Sequence, residues 1–267
     1  MEYRQLGQSD LKVSAIGYGA WGIGGFPFWK TEGKSASIKS IEKAFDLGIN
    51  FFDTAPVYGF GVSEEIIGKA LKKVRNKIIL ATKCGLRWDK KNLGSIKKNA
   101  AKNSISQEIE CSLRRLKTNW IDLYQVHWPD IETPQEETME ALHDVVKSGK
   151  ARYIGASSMY AWELSKAQEV AKANGWTRFV SMQNHYNLIY REEEREMIPL
   201  CINDGLAITP WSPLARGFLA GNRTSKGKGK TDRSKNDVLA DNYYYSDNDF
   251  KILKEVKEIA KKDNKSN

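Results

Sequence analysis

An α/β fold built on a parallel sheet is predicted by three features of the sequence. From about residue 34 to 215, short runs rich in β-branched and aromatic residues alternate with longer segments of helical period. Those short runs are largely apolar, as strands buried on both faces of a βαβ sheet must be. The length of 267 residues is enough for one full core, because surface-to-volume scaling forces a split only beyond roughly 250–300 residues. Seven strand-like runs leave two architectures open, a doubly wound sheet or a (β/α)8 barrel. Length does not choose between them, since a barrel takes about 250 residues.

Ahead of the first run, residues 3–6 and 12–13 flank Gly7-Gln8-Ser9-Asp10, the pattern of a hairpin that plugs one end of a barrel. Strands are predicted over 15–21, 51–55, 78–84, 121–127, 152–157, 179–183 and 206–211. Helices are predicted near 34–48, 63–74, 104–117, 134–149, 160–174 and 190–204. The fourth helix is well signposted. Pro134 suits a first turn, Glu136 and Glu137 favour the positive N-terminal end, and Gly149 can close the C-terminus. The alternation breaks after Trp211. Residues 216–247 are rich in Gly, Lys, Asp and Asn, including Lys226-Gly227-Lys228-Gly229-Lys230. They read as a long solvated, mobile loop with little capacity to form a core. A last helix is predicted near 249–262, with Phe250, Ile252, Leu253, Val256 and Ile259 on one face. No eighth strand follows, and the whole chain, 1–267, is read as a single barrel domain.

Composition excludes several classes. Cys84, Cys111 and Cys201 show no CxxC spacing and no close His partner, which argues against a disulfide scaffold or a zinc site. The thiols read as free, as in a reducing compartment. The N-terminus, MEYRQLGQSDL, lacks the apolar core of a signal peptide. No stretch approaches the roughly 20 apolar residues of a membrane span. The expectation is a cytoplasmic protein with no membrane partner. Forty-two Lys and Arg against 33 Asp and Glu leave a formal charge of +9. The segment from Arg216 to Asn267 holds 13 basic and 8 acidic residues, so over half of that excess lies in the last fifth of the chain. It lacks the interleaved aromatics of a nucleic-acid stacking platform, and no nucleic-acid partner is expected.

One motif is rejected. Gly17-Tyr18-Gly19-Ala20-Trp21-Gly22 is a literal G-x-G-x-x-G after a strand. The dinucleotide-binding version needs its third glycine inside a helix whose N-terminus faces a pyrophosphate. Here Ile23-Gly24-Gly25-Phe26-Pro27 follows at once, and no helix is predicted before about residue 34. The glycines are read instead as a strand-end loop allowing close backbone approach.

The chemistry lies at strand ends. Asp53 belongs to the second strand, with Tyr58 five residues later. Lys83 closes the third strand and His127 the fourth. Polar groups ending neighbouring parallel strands converge on one face of the sheet, which in a barrel is the catalytic face. Burying Asp53 and Lys83 there is costly unless they pair. A free tyrosine has a pKa of about 10, too high for easy proton donation and return at neutral pH. A nearby lysine cation favours the phenolate, while a carboxylate holds the lysine in place. The set suits proton transfer coupled to hydride transfer, with His127 orienting a carbonyl. No metal-ligand cluster competes with it.

These segments resemble the aldo-keto reductases over nearly the whole chain. The most specific part is Asp53-Thr54-Ala55-Pro56-Val57-Tyr58-Gly59 followed by Ser63-Glu64-Glu65-Ile66-Ile67-Gly68, and Gln125-Val126-His127-Trp128-Pro129-Asp130 also fits. The resemblance implies a (β/α)8 TIM barrel and NADPH-dependent reduction of aldehydes or ketones. It makes Tyr58 the general acid, Lys83 and Asp53 its tuning pair and His127 the orienting residue. It assigns Ser157, Ser158 and Gln183 to the nicotinamide carboxamide, where the family more often has Asn at the position of Ser158. It makes Trp211 the aromatic stacked on the nicotinamide ring, and Ser212, Leu214 and Gly217 the turn holding the pyrophosphate. Trp21, Phe26, Phe28, Trp29, Trp88 and Trp128 are candidates for the wall of a substrate pocket, an apolar lining suited to small carbonyl compounds.

The family continues past the last helix into an eighth strand and helix whose side chains grip the adenosine 2′-phosphate. Residues 261–267 do not resemble that segment. The eighth strand and helix are therefore expected to be missing, with weak or absent activity in this 267-residue form. A second reading is a non-catalytic regulatory protein that binds a nucleotide on the same barrel.

Overall fold

The computed structural model describes residues 1–25, 33–89, 92–221, 223, 229, 231, 237 and 240–266. It falls into two compact units, one of residues 1–183 and 199–208, the other of residues 184–198 and 209–267.

The first unit opens with an antiparallel hairpin, β1 (Tyr3–Gln5) and β2 (Lys12–Ser14), as its turn chemistry predicts. Its main body is a seven-stranded parallel sheet. The strands in chain order are β3 (Tyr18–Gly19), β4 (Phe51–Asp53), β5 (Ile79–Cys84), β8 (Ile121–Val126), β9 (Ala151–Ser157), β10 (Phe179–Gln183) and β11 (Ala207–Ile208). They lie side by side in that same order, β3 at one edge and β11 at the other. Helices α1 (Lys34–Asp46), α2 (Val62–Ala70), α3 (Lys102–Leu116), α4 (Gln135–Lys147), α5 (Ala161–Ala173) and α6 (Met197–Asp204) make the crossovers. A doubly wound sheet reverses its strand order at a switch point. This sheet has no reversal, so it is a (β/α)8-type sheet with seven strand units among the described residues.

All seven predicted strands are present, although the first and last shrink to two residues each. One element escaped the sequence reading. After β5 the chain forms a hairpin of β6 (Leu86–Asp89) and β7 (Asn92–Lys98). Its polar, lysine-rich composition carries little strand signal.

The core at the N-terminal end of the sheet is built by inward-facing Phe51, Ile79, Ala81 and Leu123, capped by Leu6, Leu11 and Val13 of the first hairpin. Gly7 makes that cap fit. It takes a positive φ of 56°, and a side chain there would collide with the carbonyl oxygen of Val180. The rejected glycine motif leads only into a three-residue 3-10 turn, Gly22–Gly24. Gly24 there meets the backbone of Tyr58 and Gly59, closely enough that a Cβ on either glycine would clash.

In the second unit the segment 216–247 departs from expectation. Phe218, Leu219, Ala240 and Tyr244 are buried together with Ala215 and Leu253. Arg216 and Asp237 form a buried bidentate pair, with Nε–Oδ2 at 2.7 Å and the second guanidinium nitrogen at 2.6 Å from Oδ1. Both ends of the segment thus contribute to a core, against the loop composition that hid it. The last helix, α7 (Asp247–Lys262), starts at a capping box in which the Asp249 N–H donates to Ser246 Oγ at 3.3 Å and the Ser246 N–H to Asp249 at 2.9 Å. Leu253 is its buried anchor, while Ile259 is exposed. No described helix is long and apolar enough to cross a membrane.

Candidate active site

The strand period of two builds the site. On β4, β5 and β8 the residues that point into the core alternate to Asp53, Lys83 and Gln125 at the C-terminal end. His127 follows β8 and donates its backbone N–H to the Cys84 carbonyl at 2.9 Å. Tyr58 hangs from the loop after β4, which Gly59 turns with a φ of 62°.

Lys83 is the centre. Its side chain is 0% exposed, so its charge must be matched within the protein. Nζ donates to Asp53 Oδ2 at 2.7 Å and Oδ1 at 2.8 Å, and to the Thr54 carbonyl at 2.9 Å. It reaches the Tyr58 hydroxyl at 3.5 Å. The His127 ring meets the Tyr58 ring edge-on, with centroids 5.7 Å apart. The four residues chosen from the sequence therefore lie together. Two glutamines secure the carboxylate: Nε2 of Gln125 and of Gln183 donate to Asp53 Oδ1 at 3.0 and 3.2 Å. Gln125 was missed because it does not titrate. Its signal was its place two residues before His127, and in the structure it is the register partner of Lys83.

Burial pulls the Lys83 ammonium towards the neutral form, but Asp53 and Tyr58 outweigh it and hold the pKa above the ordinary lysine value. For Tyr58 the balance differs from the sequence expectation. Burial pushes its pKa up most strongly, Lys83 pulls it down, Asp53 pushes it up, and the net shift is upward. Burial, reinforced by the Lys83 charge, drives His127 well below the usual histidine value, so its ring is neutral at neutral pH. Its Nδ1 is buried without a hydrogen-bond partner.

The other candidates divide between the two units. Ser157 is buried at the end of β9, paired in register with Gln183, and its Oγ lies 3.3 Å from Ser158 Oγ. Ser158 has a φ of 55° and donates its backbone N–H to the Gln183 carbonyl. Trp21 stands beside Tyr58, ring centroids 6.2 Å apart. Trp88 packs on Phe60 at 5.6 Å, and Trp128, 38% exposed, lies under Lys98 Nζ at 5.5 Å. Trp29, with Phe26 and Phe28, lies outside the described residues. In the second unit Trp211 stacks on His185 with centroids 4.1 Å apart. Ser212, Ala215 and Arg216 all adopt positive φ, and Gly217 joins them at 91°. Three non-glycine residues in the left-handed region within five positions make this turn strained, and Leu214 lies inside it.

A parallel seven-stranded sheet of this order, with an Asp–Lys–Tyr–His cluster at the C-terminal strand ends, is the build of a (β/α)8 oxidoreductase. A model of the aldo/keto reductase family matches residues 15–267, and the chain belongs to that family. It is 43% identical to a versiconal hemiacetal acetate reductase of Aspergillus parasiticus, over 98% of this chain and 81% of that protein. It is 39% identical to a putative aryl-alcohol dehydrogenase of Schizosaccharomyces pombe, over 99% of this chain and 81% of that protein. The structure of a glycerol dehydrogenase from Gluconobacter oxydans superposes with a TM-score of 0.85 at 32% identity, covering 99% of this chain and 79% of that one.

Proposed function

We propose that this protein reduces an aldehyde or ketone to the alcohol with NADPH, and that Tyr58 is the general acid. The observation that carries this reading is the fully buried Lys83 ammonium bridging the Asp53 carboxylate and the Tyr58 hydroxyl. NADPH, when bound, supplies the hydride that reduces the carbonyl carbon. Tyr58 Oη gives its proton to the carbonyl oxygen as negative charge develops there. Lys83, kept charged by Asp53, stabilises the phenolate left behind and offsets the burial that raises the Tyr58 pKa. His127, neutral at the working pH, orients the carbonyl oxygen beside Tyr58. Tyr58 carries the transferable proton, and His127 does not compete for that role.

The residues at the ends of β9 and β10 fit a nicotinamide carboxamide. Two neighbouring hydroxyls, Ser157 and Ser158, stand beside the Gln183 amide, a mixed set of donors and acceptors for one amide group. In the second unit Trp211 supplies the ring for the nicotinamide, and Ser212, Leu214 and Gly217 supply the turn for the pyrophosphate. The strained backbone of that turn supports the assignment. Trp21 borders Tyr58, while Trp88 and Trp128 extend the aromatic wall. The wall favours apolar carbonyl compounds, and aryl aldehydes head the substrate panel because one matched relative is named for aryl alcohols.

The test is aldehyde-dependent NADPH oxidation by the wild type and by Tyr58→Phe. The variant keeps the ring and its packing but has no proton to give, so kcat is expected to fall by about 10²–10⁴-fold with folding intact. A Tyr58→Phe protein with wild-type turnover would overturn the assignment.

A further inference from the structure

Behind the sheet, on the face of β5 turned away from Lys83, lies a second buried polar cluster to which the proposed reaction assigns no role. Thr82 Oγ1 donates to Glu64 Oε1 at 2.7 Å, and Arg115 Nε pairs with Glu64 Oε2 at 2.5 Å. Glu64 belongs to α2 and is 0% exposed. Three residues further along the chain, just past the end of β5, the Gly85 N–H donates to both oxygens of Glu108, at 3.3 and 3.2 Å. Glu108 belongs to α3, is 4% exposed, and also accepts from Ser104 Oγ at 2.9 Å. The two glutamates therefore grip the strand on either side of Lys83, one through a side chain and one through the backbone.

The two grips differ in chemistry. Glu64 has a guanidinium partner, whereas Glu108 has hydrogen bonds to a hydroxyl and a backbone N–H. The Gly85 contact lies where β5 ends and the chain turns into the β6–β7 hairpin, and Gly85 has a φ of 87°. A displacement there moves the peptide units that aim Lys83 at Tyr58. Proton transfer tolerates little of it, since the Lys83–Tyr58 contact is already 3.5 Å.

We infer that Glu108 is a positioning residue for Lys83, acting through the Gly85 N–H at the end of β5. The inference rests on reading Lys83 as part of the reactive site. Burial pushes the Glu108 pKa up to about 7, against the pull of the Ser104 and Gly85 hydrogen bonds. The groups facing it are Arg87 from β6, which favours its charged form, and Glu64 from α2, which opposes it. Cys84 from β5 and Tyr124 from β8 complete the surroundings, both with pKa values far above neutral and so uncharged. An ionised carboxylate accepts from the Gly85 N–H more strongly than a protonated one, so the grip tightens as pH rises through 7. Tyr58 and Lys83 titrate above their ordinary high values and His127 well below 6.5, so none of them titrates in that window.

The test uses Glu108→Ala and Glu108→Gln in the full chain. Glu108→Ala removes the acceptor, and kcat is expected to fall about tenfold with KM little changed. Glu108→Gln keeps an oxygen for Gly85 without titrating. It is expected to recover most of that loss and to lack the rise in kcat expected of the wild type between about pH 6 and 8. Two NMR signals read the grip without any turnover. In the wild type, amide-exchange protection of Gly85, corrected for intrinsic rate, is expected to rise across that pH range, and in Glu108→Gln it is not. The side-chain ammonium signal of Lys83 shifts in Glu108→Ala. Absence of aldehyde-dependent turnover in the wild type would defeat the functional reading alone, because the two NMR signals still decide the positioning role. An unshifted Lys83 signal in Glu108→Ala, or a Glu108→Gln protein keeping the wild-type pH response of Gly85 protection, would overturn it.

Discussion

Two buried charges held against opposite faces of β5, Lys83 and Glu108, are matched in opposite ways. Towards the interior, Lys83 and Asp53 form a matched pair, supplemented by amides of Gln125 and Gln183. The matching is strong enough to keep Lys83 charged despite full burial. Towards the helices, Glu108 is an anion supported only by hydrogen bonds and a more distant arginine, and its pKa rises to about 7. Both groups are buried, but the partner differs. A buried ion with a contacting counter-ion keeps its charge over the whole useful pH range, and one without titrates inside it. The first arrangement suits a permanent catalytic field, the second a contact that responds to pH.

The largest expected effect comes from breaking the matched pair. Lys83→Met leaves the part-buried Asp53 carboxylate with amide partners and no cation. Removal of one partner from a buried pair costs about 3–5 kcal/mol, and with Tyr58 as the acid proposed above, loss of Lys83 is expected to lower kcat by about 10²–10⁴-fold. Guanidinium unfolding and steady-state turnover measure the two losses separately. Replacing both partners, as Asp53→Leu with Lys83→Met, is expected to restore much of the stability and none of the activity. If stability returns without activity, the pair is present for chemistry. If neither single nor double variant changes turnover, the inner face has no catalytic role.

Glu108→Gln makes the opposite change on the outer face and is expected to stabilise. In the unfolded chain Glu108 titrates near 4.5, and in the folded protein at about 7. The folded state therefore holds the proton more tightly. Stability from this group is fully present below about pH 4.5, and is lost as pH rises to 7. At pH 8 the wild type carries the whole penalty of a buried charge, about 3 kcal/mol. Denaturant midpoints at pH 8 and at pH 4.5 should show the glutamine variant gaining at the first and not at the second. An equal gain at both would mean that packing, not charge, is responsible. The same charge would hold Gly85 while it strains the fold, an exchange of stability for position seen at many functional sites.

The inner face was far more legible in the sequence than the outer one, for a physical reason. Strand residues alternate strictly, so a charged residue closing an apolar run, such as Lys83 after Ile78-Ile79-Leu80-Ala81-Thr82, has only two directions to point. The Asp53-to-Tyr58 spacing then placed the tyrosine in the adjoining loop. Glu64 and Glu108 lie on helices, where glutamate is ordinarily a surface residue. Glu108 shares the buried stripe of Ile105, Ile109 and Ser112, yet nothing in its one-letter context distinguishes it from the exposed Gln107 one position earlier. Arg216 and Asp237 were invisible for a different reason. They lie 21 residues apart, with no period linking them, and a composition rich in Gly and Lys masked the aromatic residues beside them. Periodicity reveals what a regular element orients, and long-range pairing across irregular chain leaves no such mark.

The smallest expected effect concerns the rim where the inner polar face ends. Ser158 follows β9 in the left-handed region, with a φ of 55°. Asparagine is more at ease there than serine, because its short amide satisfies local backbone groups in that conformation. Asparagine also reaches further and offers two N–H donors beside its carbonyl acceptor, where a serine hydroxyl is shorter and has a single donor beside its lone pairs. Ser158→Asn is therefore expected to raise stability slightly and to tighten NADPH by about 0.5–1.5 kcal/mol, the net worth of one added hydrogen bond. Calorimetric titration of NADPH into both proteins measures the second effect, and Tm the first. A gain in Tm without a change in Kd would show that Ser158 answers to the backbone alone, and that the carboxamide is held by Ser157 and Gln183. Tighter binding would place Ser158 on the cofactor, and would extend the matched, permanently poised chemistry of the inner face by one residue to its outer edge.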